Sequence, residues 1–481
     1  MDSAASGKPQ AAGLHTLSKG AAVVVALLSG APVQAHAETL RSALARAYCG
    51  NPDLNQSRAA VRVRDEDAPK ALAGMRPKAN IQASAGPEYA NLRFPAGRDQ
   101  SGQRLFQLEK YTGWPRGTTL NLQQNIFDGN RTENSVKQAE SNVFAARATM
   151  RLTEQAILQN GATAYMNVLR DTAVMNLRKN NIAVLEQQLK QTQDRFQVGE
   201  VTRTDVAQAE ASVAQARSEF YAAQAQLKNS IANYHQLIGD DPKSLQPGAS
   251  VEPLLPTSLN DAIGVALIEH PGVVSALHQV DAAELAVKVA ESALMPNLSL
   301  NAQVSNQYDS FLGIPGTRQF SAQAAAQLNV PLYQGGAEYA SIRQAKEQLG
   351  QARLNADLQR DSVRASVVSS FGLLETAKAS IISGQAAVKA AETALAGVRE
   401  EAKVGQRTTL DVLNAQQALL NARVSLVISQ RDRVVASYAV LGSIGRLSAQ
   451  ELDLNVTLYD PTIHYEQVKT KWWGTDTPDG R

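Results

Sequence analysis

The sequence predicts a mainly α-helical chain with a smaller component of membrane-type β-strands. Three observations carry this: an internal duplication, long proline-free stretches of helix-forming residues, and short segments whose polarity alternates with period two. Leu40, Ala43, Ala47, Asn51 and Pro52 recur 219 residues later as Leu259, Ala262, Ala266, His270 and Pro271, and Pro77 recurs as Pro296. Later landmarks recur at 206 residues: Phe127 and Gly129 as Tyr333 and Gly335, Val198-Gly199 as Val404-Gly405, Asp205-Val206 as Asp411-Val412, Arg217 as Arg423, and Gly239 as Gly445. One large period marks two copies of a fold, not a solenoid of short repeats. The change of offset places a longer loop between Pro77 and Phe127 in the first copy, an insertion that a duplicated fold tolerates. The copies are expected at 38–250 and 259–450, joined by a linker at 251–258 and followed by a tail at 451–481.

Residues 1–37 read as an export signal: Lys8 and Lys19, an apolar stretch from Ala21 to Leu28, helix-breaking Gly30 and Pro32, then Ala35-His36-Ala37 before Glu38. Cleavage is expected after Ala37. The apolar stretch is too short to span a bilayer, and no later segment offers the roughly 18 consecutive apolar residues that a transmembrane helix needs. Any membrane contact must therefore use strands.

No proline interrupts the chain between Pro115 and Pro242 or between Pro331 and Pro461, and both stretches are rich in Ala, Gln, Leu, Arg and Glu. Each copy is thus expected to hold a helix from Gly129 to Val198, or Gly335 to Val404, roughly 100 Å long. Gly199 and Gly405 suit the left-handed cap at which the chain turns back. A returning helix spans about 34 residues (205–239), and after Asp240-Asp241-Pro242 and a Pro-rich linker a further helix of about 36 residues runs from Leu259 towards Pro296. Stacked end to end, the two match one long helix, and an Ala-dense seam (Ala207, Ala209, Ala211, Ala214, Ala216) permits close backbone approach.

Leu298 to Ser305 alternates apolar and polar without exception, and Phe320–Ala324 with Gln327–Val330 continues the pattern beyond a Gly/Pro loop at Gly313 to Gly316. Asn80–Tyr89 and Thr118–Phe127 repeat it more weakly. Strand pairs at about 80–127 and 297–332 follow, with one wet and one apolar face, the signature of a membrane barrel. Four strands cannot close a barrel, and lipid does not tolerate open edges. Several copies must therefore contribute: two would supply eight strands, three would supply twelve.

The sequence resembles the TolC family of outer-membrane efflux and secretion channels over essentially the whole chain after residue 37. The motifs are Leu40-x-x-Ala43-x-x-x-Ala47-x-x-x-Asn51-Pro52 and its repeat at Leu259 to Pro271, Pro331-Leu332-Tyr333-Gln334-Gly335-Gly336, and Val404-Gly405-x-Arg407-Thr408-x-x-Asp411-Val412-Leu413-x-Ala415. The resemblance implies a homotrimer, a twelve-stranded barrel in the outer membrane of a Gram-negative bacterium continued by a twelve-helix tunnel into the periplasm. It also implies docking, through a periplasmic adaptor protein, to an inner-membrane ABC or proton-driven transporter, with passive export of protein or small molecules. Asp128 to Glu140 and the tail Tyr459 to Gly474 resemble the type I secretion branch. By motif position, Asp205 and Arg407 match a charge network that ties the periplasmic gate, Asp411 and Asn414 match the constriction, and Gly199 and Gly405 are the helix-tip turns. Asn414 departs from the carboxylate common there, and Ala402 replaces an aromatic partner of the network.

The residues themselves give Asp411 a second role. Thr202-x-x-Asp205 and Thr408-x-x-Asp411 both fit a capping box at a helix start, and capping is compatible with gating. Positions 411 and 414 share a helix face, and ringed carboxylates favour cations. Catalysis finds no support. His235, His270, His278 and His464 show no metal-ligand spacing, Gly335-Gly336 lacks the Lys-Ser/Thr of a phosphate loop, and aromatics form only 5% of the chain. Neither a cofactor nor an enzymatic activity is expected. Lys plus Arg (47) nearly balances Asp plus Glu (45), which argues against nucleic acid. Cys49, alone, is expected to be a buried small apolar group. Trp472-Trp473 reads either as an interfacial anchor or as packing of the tail. The alternative to a channel is a periplasmic coiled-coil adaptor, which the two alternating hairpins disfavour.

Overall fold

The computed structural model describes residues 38–309, 316–478 and 480. The export signal at 1–37 and most of the loop at 313–316 lie outside the described residues. The first copy opens with α1 (Leu40–Gly50), α2 (Pro52–Asp65) and α3 (Asp67–Leu72). Strands β1 (Lys78–Ala85), β2 (Glu88–Arg98), β3 (Arg104–Gly113) and β4 (Arg116–Phe127) follow, then the long α4 (Arg131–Gln197) and returning α5 (Arg203–Ile238). The second copy holds α6 (Leu259–Glu269), α7 (Pro271–Glu291), β5 (Asn297–Tyr308), β6 (Arg318–Asn329), the long α8 (Ala337–Lys403) and α9 (Thr409–Ser443). A short α10 (Thr462–Val468) lies in the tail.

Both long helices have 67 residues, about 100 Å of helix. At their ends Gly199 (φ 77°) and Gly405 (φ 76°) take the left-handed conformation. There the N–H groups of Glu200 and Gln406 reach back to the carbonyls of Arg195 and Glu401, closing matching turns. Thr202 and Thr408 then open α5 and α9 through capping boxes with Asp205 and Asp411. Helix α4 packs on both α5 and α7, and α8 on α9, α7 and α6, so each long helix lies beside shorter ones.

The expected single helix from Leu259 to Pro296 is in fact two. Proline has no N–H and forces its predecessor out of the helical region, so His270 (ψ 123°) separates α6 from α7 just as Asn51 (ψ 125°) separates α1 from α2. Both side chains cap the next helix: Asn51 Oδ1 accepts from the Asp53 N–H at 2.9 Å and His270 Nδ1 from the Gly272 N–H at 3.1 Å. Gly445 (φ 88°) lets the end of α9 approach this break, since a Cβ there would lie 2.6 Å from His270 Cα.

The long loop expected in the first copy is a second hairpin. Gly86-Pro87 stops β1 earlier than the expected Tyr89, because proline cannot donate to a ladder, and β2 pairs with β3 as a separate two-stranded sheet. The described residues therefore hold six strands. Four form one antiparallel sheet in the order β1-β4-β5-β6, uniting both copies, and β6 runs unbroken where two segments were expected.

One apolar core joins α1, α4, α5, α9 and the tail around fully buried Leu44, Leu158, Tyr165, Tyr234, Ile444 and Leu447. The Tyr165 hydroxyl sits 2.8 Å from the Glu38 carbonyl and 2.7 Å from that of Gln246, tying the residue after the expected cleavage site to the segment that follows α5. The Glu38 carboxylate, itself buried, accepts hydrogen bonds from Arg46 and the Tyr234 hydroxyl. Cys49 is exposed, contrary to expectation, because the buried face of α1 is formed by its neighbours Ala47 and Tyr48.

In the tail, His464 Nδ1 lies 3.0 Å from Oδ2 of the fully buried Asp65, and Tyr465 donates to Glu140 at 2.8 Å. Burial pushes the Asp65 carboxyl up, with His464 and Arg147 opposing that shift.

The His270 cap is a pH-dependent element. Burial lowers its pKa below 6.5, and only a neutral imidazole accepts the Gly272 N–H. The unfolded chain binds the extra proton first, so stability is complete above pH 6.5 and declines as pH falls towards the folded-state pKa. His270→Ala should cost about 1 kcal/mol at neutral pH. His270→Asn, borrowing the residue of the first copy, should keep the cap and melt with less loss between pH 7 and 5.5 than the wild type. Equal losses in both proteins would show that the cap is not titrating.

Candidate functional site

The sheet register sorts the strands into two faces. Asn80, Asn121, Gln303 and Gln323 share one row, and Gln82, Thr119, Ser305 and Ser321 another. Side chains hydrogen-bond across this polar face: Gln323 donates to Gln303 at 2.8 Å, and the Ser305 and Ser321 hydroxyls meet at 2.8 Å. The opposite face carries Ile81, Leu120, Leu122, Leu298, Leu300, Val304, Phe320 and Leu328. It is left open: Ile81 is 74% exposed, Phe320 67% and Leu328 63%. At the end next to the β2–β3 hairpin this face finishes in Tyr308, with the Arg116 and Arg318 guanidinium groups each 5.4 Å from its ring. Water does not favour so large an apolar surface, whereas a polar bore and an apolar exterior are what a membrane barrel requires. No helix among the described residues is long and apolar enough to cross a membrane.

The opposite end of the molecule holds the helix tips. Asp411 Oδ2 accepts from the Thr408 N–H at 3.0 Å and its hydroxyl at 2.9 Å. These bonds, with Arg407 nearby, hold its carboxyl below the usual 3.8. Asp205 is bound and lowered in the same way by Thr202, with Arg195 contributing. Asn414 lies exposed one turn after Asp411. Asp205 and Arg407, which the motif places in one network, form no ion pair with each other within the protomer; Arg407 Nε instead donates to Glu401 at 2.8 Å. The first tip carries the inverse pair, Arg195 Nε to Glu200 at 3.0 Å. At the 206-residue offset Arg195 corresponds to Glu401, so this one position bears opposite charge in the two tips, whereas Glu200 corresponds to Gln406 and Arg407 to Val201.

Several ties were missed in the sequence. Arg217 pairs with Glu186 and Arg423 with Glu392, both at 2.6 Å, so each hairpin carries the same clasp. The duplicated arginines were legible, and their duplicated partners obey the same offset. Between hairpins, Arg431 donates twice to Asn167 Oδ1 at 2.9 and 2.7 Å, and Gln416 donates to Asn181 at 3.3 Å. Near the tips a cavity of about 270 Å³ separates the hairpins, lined by Gln187, Gln191, Arg195, Arg399, Ala402 and Lys403. Among the described residues no cluster of His, Cys, Asp or Glu is arranged to hold a metal.

A family model described as outer membrane efflux protein matches residues 43–240 and 262–446, one match for each copy of the repeat. The outer membrane efflux protein BepC of Brucella suis biovar 1 (strain 1330) is 42% identical over 460 residues, covering 95% of this chain and 96% of that protein. The outer membrane protein TolC of Escherichia coli (strain K12) is 26% identical over 448 residues, covering 90% and 88%. Among solved structures, the Campylobacter jejuni CmeC outer membrane channel shares the fold with a TM-score of 0.73 at 17% identity, covering 90% of this chain and 89% of that one. With its repeats matched in order, its two-faced sheet and its long paired helices, the chain belongs to the outer membrane efflux protein family and is an outer-membrane export channel component, not an enzyme.

Proposed function

We propose that three copies of this chain close into one conduit. Strand β1 of each copy would pair with β6 of the next, giving twelve strands with the polar face inward and the apolar face against outer-membrane lipid. The observation that carries this is the four-stranded sheet itself, which is two-faced and open at both edges. Strand directions alternate across it, so β1 and β6 of adjacent copies meet antiparallel. Below, the paired long and short helices of three copies continue the wall to a tip about 100 Å away.

In this reading the conduit is passive. A periplasmic adaptor joins it to an inner-membrane ABC or proton-driven transporter, which supplies the energy and selects the cargo, protein in type I secretion or small molecules in efflux. The name of the 42% identical relative supports efflux, while the likeness of Asp128 to Glu140 and of the tail to secretion channels supports protein export. Three Asp411 carboxylates and three Asn414 amides would ring the constriction. Arg407–Glu401 would hold the second tip turn shut within each copy, with Asp205 facing a neighbouring hairpin. The coiled-coil adaptor reading gains nothing from the structure, since such a protein has no use for an exposed apolar sheet face.

Single-channel recording of the processed protein in a planar bilayer tests the proposal, with discrete cation-preferring steps expected. A protein that never inserts, or inserted trimers that stay silent even after Arg407→Ser loosens the tip, would overturn it. Asp411→Ala should lower the cation-to-anion permeability ratio severalfold, and an unchanged ratio would remove Asp411 from the constriction. The Thr408 bonds lower the Asp411 carboxyl within one chain, and repulsion among three ringed carboxylates opposes that shift, so the pH at which the wild-type preference fades reports which effect prevails. Arg407→Ser frees Glu401 and should raise the open fraction. Identical gating would mean that this pair does not restrain the tip.

A further inference from the structure

Beyond α10 the tail turns to the foot of the barrel sheet. There Arg76, two residues before β1, donates to the carbonyls of Lys471 at 2.7 Å and Thr470 at 3.4 Å, and its guanidinium lies 4.7 Å from the ring centroid of Trp472. Trp473 packs edge-on against Trp472 with centroids 6.5 Å apart. Neither ring is covered: Trp472 is 59% exposed and Trp473 85%.

We infer that Trp472 and Trp473 seat in the phospholipid headgroup layer of the periplasmic leaflet, so that the tail anchors the helical part of the protein at the foot of the barrel. The inference rests on the channel reading above. Phe127, Leu298 and Leu328 are paired in register at the periplasmic end of the apolar face, marking where that face stops, and Arg76 enters the neighbouring strand at the same end. The tail reaches this level as an extra layer over α1, α2 and α4, with the Tyr459 N–H on the Tyr48 hydroxyl, His464 on Asp65 and Tyr465 on Glu140. A conducting ring must keep its bore clear, so that layered side is the outer one, facing the membrane surface. Tryptophan favours this depth because its ring is apolar and its N–H still finds water or a headgroup.

Charge fits the same occupant. Arg76 and Lys471 have no carboxylate partner among the described residues, and Lys471 Nζ donates only to the carbonyl of Asp476 at 2.7 Å. Lipid phosphates would supply the missing anions.

Only three tryptophans exist, so Trp114→Phe leaves the tail pair as the sole indole signal. That variant is reconstituted as a trimer into phosphatidylethanolamine–phosphatidylglycerol vesicles whose chains carry bromine at carbons 6 and 7 or, separately, at 11 and 12. Quenching by the shallow bromines at least twofold stronger than by the deep ones is expected. Unquenched emission that acrylamide reaches would leave the pair in periplasmic water. Unquenched emission shielded from acrylamide would place it in a seam between copies. Either result overturns the anchor. A control with all three tryptophans replaced by Phe and Leu300→Trp on the apolar sheet face must be quenched; if it is not, the channel reading itself has failed.

Discussion

Everything in this structure depends on one requirement of lipid, that no backbone N–H or C=O be left unpaired in the hydrocarbon layer. A four-stranded sheet with edges at β1 and β6 violates it, and an apolar face that leaves Ile81 and Phe320 largely bare violates the corresponding requirement of water. The proposed ring, in which the edge of each copy is completed by the next, would satisfy both. The alternating strand directions allow that ring to close, and the sorting of Gln and Asn to one face, with Leu, Val and Ala on the other, tells it which way to curl.

In that ring the helical part would take its geometry from the sheet. Each copy sends four helical columns away from the sheet, through α2 and α3 into β1, from β4 into α4, through α7 into β5, and from β6 into α8. Duplication makes these columns equivalent in pairs and repeats their fastenings, so that Glu186–Arg217 and Glu392–Arg423 hold the two hairpins alike. The tips are where the copies diverge. Arg195–Glu200 and Glu401–Arg407 close similar turns with reversed polarity, and the basic cavity between them lacks a carboxylate lining. The tips are thus held by local, exposed pairs that water screens, which would suit a part that opens in the proposed conduit.

Much of this was legible in the sequence because duplication prints each signal twice. The long helices, the glycine turns, the Thr-x-x-Asp caps and the alternating strands all follow from backbone rules that act over a few residues. What escaped was of two kinds. The β2–β3 hairpin and the break at His270 are local, but their signals were masked, the first by weak alternation between Pro87 and Pro115 and the second by helix-forming neighbours on both sides of Pro271. The other kind is tertiary. The pairing of Arg407 with Glu401, the bond from His464 to buried Asp65, and the outward turn of Cys49 depend on which helix face meets a neighbour, and a single sequence does not specify that.

The central claim is closure of the ring through β1 and β6 of different copies, and cross-linking in the membrane tests it most directly. In a Cys49→Ser background, Ala83→Cys on β1 is combined in turn with Ala322→Cys, Ala324→Cys and Ala326→Cys on β6. Within one copy these strands are separated by β4 and β5, roughly 14 Å at about 4.8 Å per strand, too far for a disulfide. Oxidation should yield covalent dimers and trimers for at least one combination. Inserted protein that remains monomeric for all three would contradict the account.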